Sequence, residues 1–161
     1  MKKYINNFST SIILSILMVI GSVVLKPIVL NASTAEQIDE KIKKAILSEE
    51  WAEVVTLLNS VDVQTRPPIL RMIKGHACLA LNRNNESHRL FLSVSSSEDK
   101  KKWEEWAKNF TRDNPNITIA YYLLGDAHAR LGNYNDAFTT YNKALELRRN
   151  HSLVLNARGV L

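Results

Sequence analysis

His76 and Cys78 are the first pair to weigh for chemistry, because an imidazole beside a thiol is how a nucleophilic cysteine is activated. Two positions apart on a helix they point in different directions, which makes a poor dyad. Cys78 is the chain's single cysteine, so neither an intrachain disulfide nor a multi-cysteine metal site can form, and it reads as a small buried hydrophobe. His88, His128 and His151 show no metal-ligand spacing among themselves. The adjacent carboxylates Glu49-Glu50 and Glu104-Glu105 read as solvated surface on turns or helices. No glycine-rich phosphate loop and no nucleophile elbow occurs. No catalytic residue, cofactor or metal ligand is therefore expected.

Charge excludes another class. The formal net charge is +5, but Lys2, Lys3 and Lys26 stand in the first 33 residues, which carry no acid. The remainder holds 18 basic and 16 acidic residues, only +2, which is not the footprint of a nucleic-acid binder.

Those first 33 residues have the order of an export signal. Two lysines precede an apolar run over residues 11–25, Lys26-Pro27 interrupts it, and Ile28 to Ala32 has the character of a cleavage region. A cleaved signal peptide and an uncleaved signal anchor both fit, the latter if the helix continued through Lys26 to Leu30. Either way the positive flank predicts an extracytoplasmic position, periplasmic, secreted or membrane-anchored, for the rest of the chain. No cysteine near the end of the apolar run is available for a lipid anchor.

From residue 34 onward the apolar residues recur at helical spacing, and the expected fold is all-α. A capping box at Thr34–Gln37 opens a helix carrying Ile38, Ile42, Ala45 and Ile46, and a second carries Trp51, Val54, Val55 and Leu58. Pro67-Pro68 closes that pair. The next has Ile69, Leu70, Ile73, Ala77 and Leu81, then Leu90 and Phe91. A further capping box, Ser95–Glu98, opens a short helix over 97–112 that groups Trp103, Trp106, Ala107 and Phe110. The last pair occupies 118–148, turning at Gly132-Asn133.

These pairs repeat. The sets Trp51/Val54/Leu58, Asn84/Ser87/Phe91 and Tyr134/Ala137/Tyr141 start 33 and 50 residues apart, and Gly125 has a counterpart 34 residues on at Gly159. The longer interval is a unit of about 34 residues enlarged by the 97–112 helix.

The run Tyr121-Tyr-Leu-Leu-Gly125-Asp-Ala-His-Ala-Arg-Leu-Gly-Asn-Tyr134-Asn-Asp-Ala137-Phe-Thr-Thr-Tyr141-Asn-Lys-Ala144 resembles a tetratricopeptide repeat. Tyr121, Leu124, Gly125, Tyr134, Ala137, Tyr141 and Ala144 are its repeat-packing residues, with small ones where helices approach and large ones between them. His128 stands where the family has tyrosine, and Arg149 where it has the inter-repeat proline. The resemblance implies a helix-turn-helix solenoid of units at 34–60, 69–92, 118–148 and, in part, 152–161. It also implies a partner-binding groove lined by the first helix of each pair, here Met72, His76 and Leu79, then Tyr122, Asp126, Ala129 and Arg130. Tyr122 and Asp126 replace the Lys and Asn with which some members hold chaperone tails, so a different protein or peptide partner is expected.

Trp51 reads as a packing residue. Trp103 and Trp106 either seat the inserted helix or face a partner, and Lys100-Lys101-Lys102 reads as a solvated helix start. Residues 152–161 look like the opening of a further repeat, so the chain reads as the first part of a longer array. The expected function is a non-catalytic interaction scaffold. The alternatives are an accessory region of a longer exported enzyme and a self-assembly module.

Overall fold

A computed structural model describes residues 32–60 and 67–161, with side chains from residue 37. The expected export signal lies outside the described residues, apart from its last two positions. Every regular element among the described residues is a helix, and none is long and apolar enough to cross a membrane.

Three helix pairs carry the architecture: α1 (Ala32–Leu47) with α2 (Trp51–Asn59), α3 (Pro68–Ala80) with α4 (Asn84–Leu92), and α6 (Thr118–Arg130) with α7 (Tyr134–Leu147). Between the second and third pairs lies α5 (Ser97–Asp113), and α8 (Ser152–Gly159) comes after the third. The helix backbone of α1 already runs at Thr34, so the expected cap position falls inside the helix. Proline opens α3 because a first-turn residue needs no amide hydrogen and Pro68 presets the helical φ.

The pairs turn in one way. Glu49, Asn82 and Gly132 adopt left-handed φ values of 56°, 59° and 82°, at the 33- and 50-residue offsets read from the sequence. In each case the next amide along the chain donates five residues back: Glu50 N to Ala45 O (2.9 Å), Arg83 N to Cys78 O (2.8 Å) and Asn133 N to His128 O (2.9 Å). This double-bonded C-terminal motif closes the first helix and aims the chain into the second.

The pairs also approach alike. A methyl group on Gly75 would overlap the Phe91 ring, and one on Gly125 would overlap the Tyr141 ring. In the first pair the corresponding positions are Ile42 and Leu58, both buried. Bulk has moved from one helix to the other, since an aliphatic side chain leaves the room that an aromatic ring takes. Gly159 has open space around it, with no ring against it.

The inserted helix is longer than expected, at 17 residues, and its cap is displaced by one position. Ser96, not Ser95, is the N-cap, its Oγ accepting from Asp99 N at 3.0 Å. Trp103, Ala107 and Phe110 are buried, and Trp106 lies stacked between Trp103 and Phe110, with centroids 5.1 and 4.8 Å away. That face seats α5 against α3 and α6.

The first and third pairs also meet. α1 packs against α6, and Glu49 in the α1–α2 turn binds Arg148 Nη2 with both carboxylate oxygens, at 2.7 and 2.9 Å. Buried His151 places Nε2 3.3 Å from the same carboxylate. His151 and then Arg148 hold the Glu49 carboxyl down at about 2, against the opposing effect of its partial burial. Left-handed backbone costs a residue with a Cβ about 1 kcal/mol or more, so Glu49 keeps a strained conformation while making this clasp. Glu49→Gly relieves more strain than Asn82→Gly, because asparagine tolerates left-handed backbone, but it also removes the clasp, so in denaturant titrations it should stabilise no more than Asn82→Gly does. The depressed carboxyl contributes stability above its ordinary 4.5 and loses it as pH falls toward 2. That acid-side component should vanish in Glu49→Gly and persist in Asn82→Gly; equal responses would mean the clasp is energetically silent.

Candidate functional site

Where α3, α5 and α6 converge, polar side chains gather inside the core. The Asp126 carboxylate on α6 accepts from three directions at one oxygen, Oδ2. The donors are His76 Nε2 on α3 (3.1 Å), Trp103 Nε1 on α5 (3.1 Å) and Arg130 Nε one turn along α6 (2.7 Å). With Nε2 as the donor, His76 Nδ1 is left to accept from the Tyr122 hydroxyl, 3.1 Å away. The imidazole is packed on every side by rings: Phe91 at 4.9 Å, Trp103 stacked at 5.6 Å and Tyr122 edge-on at 5.3 Å. Burial alone would raise the Asp126 carboxyl; His76 and Arg130 outweigh it and hold the group well below the usual carboxylate range.

A carboxylate, an imidazole and a hydroxyl in a row have the outline of a proton relay. Two of its three members are enclosed. His76 is 1% exposed and Tyr122 2%. Burial, then Asp126, pushes the Tyr122 hydroxyl well above its ordinary value, and burial pushes the Tyr141 hydroxyl up as well. What the network does is fix three helices in register through bonds that only one arrangement satisfies. His76 and Cys78, the pair of first interest in the sequence, are both buried; His76 bonds Asp126 and Tyr122, whereas the Cys78 thiol is pushed up by burial first and by Glu86 second.

The groove implied by the family resemblance is thus largely filled. Met72 and His76 are buried at 0 and 1%, and Tyr122, 2% exposed, reaches the surface only where it lines the cleft between α3 and α8. Asp126 is largely enclosed, and Trp103 bonds it and stacks on His76, so α5 occupies the face on which a groove was expected. Leu79, Ala129 and Arg130 keep partial exposure. Of the repeat-packing set, Gly125, Ala137, Tyr141 and Ala144 are buried. Tyr121 and Leu124 are half-buried, the Tyr121 hydroxyl donating to Pro115 O at 3.0 Å. Tyr134 departs from expectation: as the first residue of α7 it is 58% exposed and fills no interhelical space. Trp51 is half-buried at the corresponding start of α2.

Open clefts lie around this core. One of about 560 Å³ separates the end of α3 from α8, with Leu79, Leu153, Ala157 and Val160 as apolar walls and Asn82, Asn84 and Asn156 as amide groups at its edge. Another, about 410 Å³, lies between α1 and α5, with Lys44 and Trp106 among the residues that line it. Neither was visible in the sequence, because α8 and α3 are far apart along the chain, as are α1 and α5. Among the described residues no group of three or more His, Cys, Asp or Glu could hold a metal ion.

Residues 118–151 match the family model of the tetratricopeptide repeat. Those bounds take in α6 and α7, the pair whose Gly125–Tyr141 approach recurs as Gly75–Phe91. No curated protein matches the chain. A repeat of this kind suggests a role in protein–protein interaction, and the all-helical arrangement of the described residues is consistent with a solenoid of such repeats.

Proposed function

We propose that this protein is a non-catalytic protein-interaction scaffold of the tetratricopeptide-repeat kind, acting outside the cytoplasm, and that it holds a peptide segment of its partner in the α3–α8 cleft. The single observation that carries the interaction reading is the repeat match over residues 118–151. The cleft supports the peptide: its apolar walls suit side chains, and three asparagine amides, each donor and acceptor, suit the backbone of an extended segment. The near-complete burial of His76 and Tyr122 in the Asp126–His76–Tyr122 row supports a role without catalysis. Export rests on Lys2, Lys3 and the apolar run at 11–25, which would also attach the protein to the membrane if left uncleaved. The near balance of charge after residue 33 argues against nucleic acid.

Cross-linking in the native cell, with the full chain as bait, tests both halves of this reading. Wild type should capture an extracytoplasmic protein, and Leu79→Asp combined with Asn156→Ala should reduce that capture by roughly tenfold, as loss of a central contact does. Undiminished capture by the double variant would remove the cleft from consideration. A captured set drawn from the cytoplasm would overturn the assignment of compartment.

A further inference from the structure

A third cleft, of about 380 Å³, opens on another side of the molecule, where the end of α4, the start of α5 and α6 come together. Its two permanently charged side chains, Lys100 and Arg130, are both cationic. Lys100 comes from α5 and Arg130 from α6, the His88 ring from α4 stands beside them, and among the described residues no carboxylate lines the cleft. Lys100, which in the sequence reads as part of a solvated lysine run, is half-buried here and has no acidic partner among the described residues. Nearby Glu98 is taken by Lys102 at 2.6 Å, and Asp99 lies outside the lining.

Arg130 is held in place before any ligand arrives. Asp126 binds its Nε at 2.7 Å, and the guanidinium carbon rests 3.9 Å from the centre of the Phe91 ring. Among the described residues nothing bonds its terminal nitrogens. A guanidinium fixed by a stack and an ion pair loses little freedom on meeting a carboxylate, which is the usual obstacle to using a long side chain as an anion anchor. Beside these cations stands an apolar wall of Phe91, Val94 and Leu92, the last 62% exposed.

We infer that this cleft is a docking site for an acidic peptide segment in which a bulky apolar side chain is flanked by carboxylates. An uncharged apolar ligand would cover Lys100 and the terminal nitrogens of Arg130 without meeting them, and a purely acidic one would leave Leu92 in water; the combination satisfies both. A free C-terminal carboxylate brings one anion to one point, whereas Lys100 and Arg130 come from two different helices, so an internal segment with more than one carboxylate is the better fit. The volume has room for one or two side chains, not for a folded surface. This site stands apart from the α3–α8 cleft and does not depend on it.

Fluorescence anisotropy with the full chain tests the inference. The probe is a labelled peptide Glu-Leu-Glu-Phe-Glu, blocked at both ends; its comparisons replace every Glu by Gln, or Leu and Phe by Ser, or carry Gln throughout with a free terminal carboxylate. The acidic, apolar probe should bind, weaken steeply between about 50 and 300 mM salt, and lose roughly tenfold in affinity when its Glu are replaced. Lys100→Glu should cost roughly tenfold and Leu92→Ser severalfold, while the neighbouring Lys101→Glu and the distant Leu79→Asp stay within about twofold. Circular dichroism on each variant separates lost binding from lost fold. Equal binding of the Glu and Gln peptides, insensitivity to Lys100→Glu, tighter binding of the free-carboxylate peptide, or no binding by any peptide would each overturn the assignment.

Discussion

Asp126→Ala should lower stability by about 3 kcal/mol or more, among the largest effects of any single change in this protein, because it leaves the buried His76 and Trp103 donors and the Arg130 guanidinium without their acceptor. The loss comes less from the missing carboxylate than from the groups stranded around it. Asp126→Asn keeps the shape and one accepting oxygen but not the charge, and should fall between wild type and alanine. Urea titrations at neutral pH measure both, and a cost below about 1 kcal/mol for alanine would mean that water or a neighbouring group replaces the carboxylate. Acid supplies an independent check. The Asp126 carboxyl is held below its ordinary value in the folded state, so it contributes stability at and above that value. That contribution disappears as pH falls through the depressed folded-state value, and Asp126→Asn should flatten the dependence.

Gly125→Ala should cost about 2 kcal/mol, unusual for so small an addition, because the new methyl falls on the Tyr141 ring and neither helix can withdraw without breaking its own packing. The first helix pair indicates how the clash is relieved. Ile42 and Leu58 occupy the positions of Gly125 and Tyr141, and both are buried. Tyr141→Leu alone should cost about 1–3 kcal/mol for lost ring burial. Combined with Gly125→Ala it should cost at least about 1 kcal/mol less than the two changes added together. A double-mutant cycle on thermal or urea unfolding measures the difference. Additivity within about 0.5 kcal/mol would mean that the glycine is not there for the ring.

Much of the fold could be read from the residues, for a local reason. The offsets between Trp51, Asn84 and Tyr134 are the offsets between the three left-handed turn residues, since each turn is set by the few residues around it. Gly125 and Tyr141 belong to one pair, and a 16-residue spacing within a helical hairpin is enough to bring them together. The candidate groove was less legible because it depends on contacts between pairs. His76 and Asp126 were both assigned to it, and they do meet, 50 residues apart. What the sequence did not reveal is that the α5 helix would lie over them with Trp103 bonded to Asp126. A hydrophobic stripe says that a helix is covered, not by which neighbour. The one internal hint was Asp126 itself, an acid set between Gly125 and Ala127 with Arg130 a turn away, where a small or apolar residue would pack more simply. Tyr134 misled for a related reason: the first residue of a second helix stands at the rim of its pair, and rim positions are settled by whatever else comes near.

The ion pair from Glu49 to Arg148 spans 99 positions of chain. A stack of repeats in which each touches only its neighbours behaves as a linear series: its ends fray, folding can start anywhere, and damage stays local. Contact between the first and third pairs turns that series into a loop. Opening one end then removes support from the other, so the described residues should melt as one cooperative unit. Closing so long a loop also makes the approach to the native state slower than local hairpins alone would set.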